Sequence, residues 1–123
     1  MNVCIGIVGP CAAGKTTLVK KLRELGYNVR HIAQEHSYVP AMWKRIANPH
    51  ILIYLDVNYP NTLLRKKLDW TVQEYQEQLH RLAHARQHAD LIIDTNSLAE
   101  EEVSRLAIEF IEKWKMQIDA FGK

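Results

Sequence analysis

The chain has 123 residues, 47% of them hydrophobic and 24% charged, with a formal net charge of +2. This suits one globular domain with a single buried core, and the small charge gives no footing for nucleic-acid or membrane-surface binding. The longest apolar stretches are strand-sized, which excludes a membrane-crossing helix, and two cysteines, Cys4 and Cys11, are too few for a disulfide framework.

In chain order, Val3–Val8 is a short apolar run suited to a buried parallel strand. It begins almost at once, with no basic leader or signal-peptide core before it, so a cytoplasmic protein with reduced thiols is expected. Residues 9–16, Gly-Pro-Cys-Ala-Ala-Gly-Lys-Thr, fit G-x-x-x-x-G-K-[ST] without a mismatch. Leu18, Val19, Leu22 and Leu25 then recur at helical spacing until Gly26 stops the helix. Tyr27–Ala33 reads as a second strand. Gln34–Pro49 carries two prolines and the cluster Met42, Trp43 and Ile46, which predicts a loop with a short helix. A third strand, Ile51–Leu55, ends at Asp56, and a helix near Pro60–Leu68 follows.

Thr71 and Glu74 form a capping box for the next helix, with Val72, Tyr75, Leu79 and Leu82 on one face. The fourth strand, Leu91–Ile93, ends at Asp94. Ser97 and Glu100 form a second capping box before the last helix, whose core stripe is Val103, Leu106, Ala107, Phe110, Ile111 and Trp114. Strands alternating with helices predict a parallel α/β sheet covered on both faces, with the ligand edge at the strand ends.

Strand, glycine loop and helix are the context in which the 9–16 motif is a phosphate-binding loop. Gly9 and Gly14 let the backbone fold around a pyrophosphate, and main-chain N–H groups meet the positive end of the following helix. Lys15 supplies charge to the β- and γ-phosphates and the Thr16 hydroxyl is a Mg²⁺ ligand. The expected nucleotide contacts are Gly9, Pro10, Cys11, Ala12, Ala13, Gly14, Lys15, Thr16 and Thr17. Lys15 is expected to face the ligand, so that its removal leaves the fold intact.

A second acidic group near the metal is required. Of the strand-end carboxylates Glu35, Asp56 and Asp94, chain order favours Glu35, which would orient water on Mg²⁺ or take a proton from an acceptor. Its other reading is pairing with Arg30 or Lys44. Asp56 and Asp94 suit helix caps. Arg65, Arg81 and Arg86 are the cations available opposite Lys15, Arg65 first. His80, His84 and His88 share one helical stripe, which reads as a polar face because nothing nearby completes a zinc site. His31 and His36 flank Glu35 as acceptor-pocket candidates. Tyr38, Met42 and Trp43 suit either stacking on an aromatic acceptor or core packing. Trp114, Ile118 and Phe121 offer either a homodimer contact or docking onto their own domain.

These residues together resemble the nucleoside and nucleotide kinase branch of the P-loop proteins. Gly9–Thr17 is similar to that family's phosphate loop, and Gln34–Tyr38 to its acidic-basic-serine segment, with His36 where an arginine is usual. Tyr54–Val57 followed by Arg65 is similar to the strand and helix leading into the lid. Ala89–Thr95 is similar to the last strand and the base-contacting loop. The resemblance implies a three-layer P-loop NTPase fold with a small, mostly parallel sheet of about four strands, in one domain spanning residues 1–123. The chain departs from that family in two places: only Gln34–His50 separates the second strand from the third, which leaves a reduced acceptor insert, and the helices around Leu68 and Thr71 almost abut, which leaves an abridged lid.

The function this implies is transfer of the γ-phosphoryl group of MgATP to a small nucleoside- or nucleotide-like metabolite. Lys15, Glu35 and Arg65 would be the catalytic residues, with Thr16 and Glu35 on the metal. The alternative is a nucleotide-binding regulatory or assembly module with little transfer activity. A GTPase is disfavoured because the chain has no N-K-x-D base-reading motif.

Overall fold

The computed structural model describes residues 2–66 and 69–121. Four strands, β1 (Cys4–Val8), β2 (Asn28–His31), β3 (Ile51–Asp56) and β4 (Leu91–Asp94), form one sheet in the order β2-β1-β3-β4. Every pairing is parallel, with Ile5 opposite Val29 and Ile51, and Ile53 opposite Leu91. The helices are α1 (Lys15–Glu24), α2 (Met42–Ile46), α3 (Tyr59–Lys66), α4 (Val72–His88) and α5 (Glu100–Phe121), with a 3-10 turn at Gln34–His36. The expected small sheet flanked by helices is present, and it is wholly parallel.

Successive strand side chains point to opposite faces, and this divides the core in two. Ile5, Ile7, Ile51, Ile53, Leu55 and Ile93 pack under Leu18 and Leu22 of α1 and Val103, Ala107 and Ile111 of α5. Val8, Leu52 and Tyr54 face the other way, against Trp43 of α2 and Leu82 and Ala85 of α4. Burial on both faces is why β1 and β3 read as unbroken apolar runs. The chain leaves β1 for β2 on one side and returns to β3 on the other. The carboxyl ends of β1 and β3 therefore border the crevice where such sheets bind ligands.

Several elements differ in detail from the sequence reading. The buried stripe of α4 is Tyr75, Gln78, Leu82 and Ala85, while Val72 is exposed, because the helix turns its first residue away from the sheet. The Thr71–Glu74 capping box forms, but the second box is displaced. Glu102 accepts from the Ala99 N–H at 3.1 Å, so α5 starts at Glu100 with Ala99 rather than Ser97 before it. Trp114 packs against His50 of its own domain, with ring centroids 6.3 Å apart, and Ile118 is exposed. Lys67, Leu68 and the Phe121 side chain lie outside the described residues. Among the described residues, no helix is long and apolar enough to cross a membrane.

Gly6 shows how closely the second core is filled. A Cβ there would lie 2.8 Å from Ile32 Cδ1 and 3.0 Å from Pro49 Cγ. The isoleucine tip can rotate away, whereas the proline ring cannot. Gly6→Val is expected to lower stability by about 1–3 kcal/mol, the usual cost of overpacking, measured by urea denaturation.

Candidate functional site

The loop between β1 and α1 needs backbone conformations that most residues avoid. Gly9 has φ 154° and Gly14 has φ 97°, and Ala12 between them also has positive φ, at 67°. At Gly9 the restriction is doubled, since a Cβ would run into the Leu55 carbonyl oxygen of the neighbouring strand. Gly14 has open space around it, so its requirement is the left-handed backbone alone. Gly14 precedes α1 without a side-chain cap, and the first turn of α1 holds no acidic residue. The unsatisfied first-turn N–H groups and positive end of the helix are left for an external anion.

Lys15 turns back into this loop. Its Nζ donates to the Gly9 carbonyl at 2.6 Å and the Pro10 carbonyl at 3.0 Å, and lies 2.8 Å from Glu35 Oε2. The ammonium thus has all three protons engaged, and only 6% of Lys15 and 4% of Glu35 is exposed. Glu35 reaches this point because β2 is the neighbour of β1 and the 3-10 turn after β2 aims it inward. Its other oxygen, Oε1, is buried without a hydrogen-bond partner among the described residues. An orphaned carboxylate oxygen is costly, and such a group marks a place built for something more than packing.

Two cavities flank the loop. The first, of about 250 Å³, is lined by Cys11, Lys15, Thr16, His31, Glu35 and His36, with Lys66 at its rim. Its oxygen donors, the Thr16 hydroxyl and the Glu35 carboxylate with its free Oε1, are the hard ligands that Mg²⁺ requires. The residues present therefore fit that ion. The second cavity, of about 320 Å³, lies between Ala13, Gly14 and Leu18 on one side and Thr95, Leu98 and Val103 on the other. Arg65 lines this second cavity and not the first. It donates to the Ala12 carbonyl at 3.3 Å, to Thr95 Oγ1 at 2.9 Å and to the Thr95 carbonyl, tying the loop to the end of β4.

A sequence profile described as AAA domain matches residues 5–111, nearly the whole chain and the whole of this site. The chain belongs to that AAA-domain family of P-loop NTPases. The family includes kinase-like members, and nucleotide and Mg²⁺ binding is general to it. Among curated proteins nothing matches the chain. The AAA-domain chain is accordingly a P-loop nucleotide-binding protein.

Around this AAA-domain loop, the remaining candidates divide by what they touch. Asp56 accepts from the Val57 N–H at 3.0 Å and pairs with Arg86 at 3.5 Å, and Asp94 accepts from Asn96 in the following turn. Arg81 donates to the Glu35 carbonyl at 3.3 Å and to Glu77, with its guanidinium 4.5 Å from the ring centroid of Tyr38. It braces the segment that carries Glu35. Tyr38 is largely exposed beneath that guanidinium and is not core, whereas Trp43 is buried. Trp43 donates its indole N–H to His84 Nδ1 at 3.0 Å, and His84 stacks on His88. These two histidines belong to an aromatic cluster.

Two residues to which the sequence reading gave no role of their own support the site. Gln78 accepts from the Cys11 N–H at 3.0 Å and donates to Cys11 Sγ at 3.1 Å. Gln34, fully buried, accepts from the Trp43 N–H and donates to the Val39 and Arg81 carbonyls. The signal for Gln78 was present in the sequence: it is a polar residue on the stripe between Tyr75 and Leu82, where an unpaired amide would be costly.

Lys15 lines the loop cavity as expected but is also buried against Glu35, so Lys15→Ala strands that carboxylate and a cost to stability is expected as well. A loss of about 3–5 kcal/mol is expected, as for removal of one partner of a buried ion pair, read by chemical denaturation. His31 gives an independent check. Burial, then the Lys15 ammonium, holds its pKa below the usual histidine range, against a smaller opposing pull from Glu35. The unfolded chain takes up this proton first, so the contribution to stability is present above the unfolded pKa and lost as pH falls through the folded one. Lys15→Ala should raise the His31 midpoint in an NMR titration, and an unchanged midpoint would separate the two residues.

Proposed function

We propose that the chain is a MgATP-dependent phosphotransferase whose acceptor is a small hydroxylated or phosphorylated metabolite, nucleoside- or nucleotide-like in chemistry. The observation that supports this best is Glu35, a buried carboxylate paired with the loop lysine and with one oxygen unpartnered. A carboxylate in that position is suited both to hold Mg²⁺ and to take a proton from an acceptor hydroxyl, the two tasks that transfer requires.

In this reading the nucleoside lies in the 320 Å³ cavity against Leu18, Thr95 and Leu98, and the phosphates cross the loop toward the 250 Å³ cavity. Phosphate oxygens replace the Gly9 and Pro10 carbonyls as partners of Lys15. Thr16 and Glu35 would hold Mg²⁺, which when bound neutralises charge on the β- and γ-phosphates. Glu35 takes the proton of the acceptor hydroxyl. The acceptor oxygen then bonds to the γ-phosphorus as the bond to the β–γ bridging oxygen breaks, leaving the nucleoside diphosphate. His31, His36 and Lys66 present cationic or hydrogen-bonding groups to an acceptor at the cavity's outer rim. Arg65 acts as a positioning residue by fastening the loop to Thr95.

A regulatory or assembly module with little transfer activity is the second reading. The size of the first cavity favours it: 250 Å³ is below the roughly 300–1,000 Å³ of ordinary small-molecule sites, and phosphates must share it.

Glu35→Gln tests the first reading. Turnover with a panel of nucleosides, nucleotides and small phosphorylated metabolites is expected to fall about 10²–10⁴-fold, the contribution of a general base. Nucleotide affinity should change little, because Lys15 loses a competing anion while Mg²⁺ loses a ligand. Asp56→Asn, whose carboxylate serves Val57 and Arg86, should retain turnover. Wild-type protein with no acceptor-dependent turnover would favour the regulatory reading.

A further inference from the structure

The first cavity contains a donor set softer than phosphate and magnesium chemistry requires. Cys11 Sγ, a Glu35 carboxylate oxygen and a His36 ring nitrogen lie within 4.8 Å of one another. We propose that these three residues form a binding site for a thiophilic divalent cation, Zn²⁺ in the first instance, which excludes productive MgATP.

The argument begins with ligand type. Thiolate, imidazole and carboxylate together select zinc over magnesium, which takes oxygen donors almost alone. Zinc bonds of about 2.0 Å to nitrogen or oxygen and about 2.3 Å to sulfur, set tetrahedrally, separate the ligand atoms by roughly 3.3–3.8 Å. His36 Nε2 lies 3.9 Å from Glu35 Oε2, the oxygen that Lys15 also holds, so the ring already stands beside this carboxylate. His36 is well exposed and free to make the small approach required, while Glu35 is fixed.

Independent evidence for a ligand comes from Glu35 Oε1, buried and unpartnered at this cavity among the described residues. Oε2 stays with Lys15, so Oε1 is the oxygen left for an ion. One thiolate and one carboxylate offset the two charges of the cation, which limits its repulsion of the Lys15 ammonium. Gln78 completes the arrangement, since its amide N–H already points at Cys11 Sγ from 3.1 Å. Hydrogen bonds of this kind stabilise a metal-bound thiolate from the second layer. On binding, the Zn–S bond replaces the S–H bond and the proton leaves to solvent. A water supplies the fourth ligand.

The consequence is antagonism. An ion on Cys11 pins the phosphate loop itself, and an ion on Glu35 removes the carboxylate that the metal and acceptor of the transfer reaction require. The metal site stands without the phosphotransferase reading, while its effect on turnover rests on that reading.

The test uses the nucleotide-free full chain with ZnCl₂, CoCl₂ and MgCl₂ as probes. One Zn²⁺ per chain is expected by calorimetry, and Co²⁺ should give a thiolate-to-cobalt charge-transfer band. Cys11→Ser should abolish the band. Cys11→Ser and His36→Gln should each weaken zinc at least roughly tenfold, the size of effect that even an outer-layer partner carries. Mg²⁺ affinity should not depend on Cys11, and a non-hydrolysable ATP analogue should weaken Zn²⁺. Wild-type protein without the cobalt band, or either variant with unchanged zinc affinity, overturns the proposal. If a variant fails to fold by circular dichroism, alkylation of the wild type decides: Zn²⁺ should protect Cys11 and spare Cys4, and equal effects on both thiols count against the site. Failure of the phosphotransferase reading would appear separately, as missing acceptor-dependent turnover in zinc-free buffer.

Discussion

The contact between Lys15 and Glu35 is the constraint on which the rest of the site depends. Two charged groups are withdrawn from water at the mouth of the sheet, and this is tolerable only because each is held closely. The lysine has two loop carbonyls and the carboxylate as partners, while the carboxylate keeps one oxygen in reserve. The arrangement needs β2 beside β1, because only that neighbour ends at a point from which Glu35 reaches Lys15. The order of the strands and the chemistry of the loop are therefore one requirement. Triphosphate arrival would exchange the lysine's carbonyl partners for phosphate oxygens and bring more negative charge toward Glu35, so the pair is poised to change when nucleotide binds.

A ring of neutral or singly charged struts holds this pair in register. Gln78 reaches from α4 to the backbone and sulfur of Cys11. Gln34 ties the 34–43 segment together through Val39 and Trp43, and joins it to α4 through the Arg81 carbonyl. Arg81 closes over Tyr38 and the Glu35 carbonyl, and Arg65 anchors the loop to Thr95 on the opposite side. The segment after β2 is thereby stitched down close to the loop. The result is a well-supported carboxylate beside a small cavity, and the acceptor question turns on that combination. The same compactness brings Cys11 and His36 to one carboxylate, which gives the cavity a softer donor set than phosphate binding requires.

The form of the phosphate loop was legible in the sequence because it is local. Gly9, Gly14, Lys15 and Thr16 act through backbone conformation and positions fixed within a few residues, and short-range spacing records both. The strands were legible too, since burial on both faces writes itself as unbroken apolar runs at β1 and β3. Glu35 could be singled out as a strand-end carboxylate, but not its burial, its orphaned oxygen or its grip on Lys15.

Tertiary structure decided what depends on residues far apart in the chain. Gln78 meets Cys11 across 67 positions and Arg65 meets Thr95 across 30, and no local periodicity encodes such encounters. The same holds for Lys15, whose place in the motif gave no sign of its burial against Glu35, and for Ser97, whose capping pattern was sound locally but does not mark the start of α5. By itself the sequence determined the loop, the alternation of strand and helix, and the chemistry available at the strand ends. Only the folded sheet decided which of those end groups share one cavity, because strand order is set by how the two cores close and not by any residue's immediate neighbours.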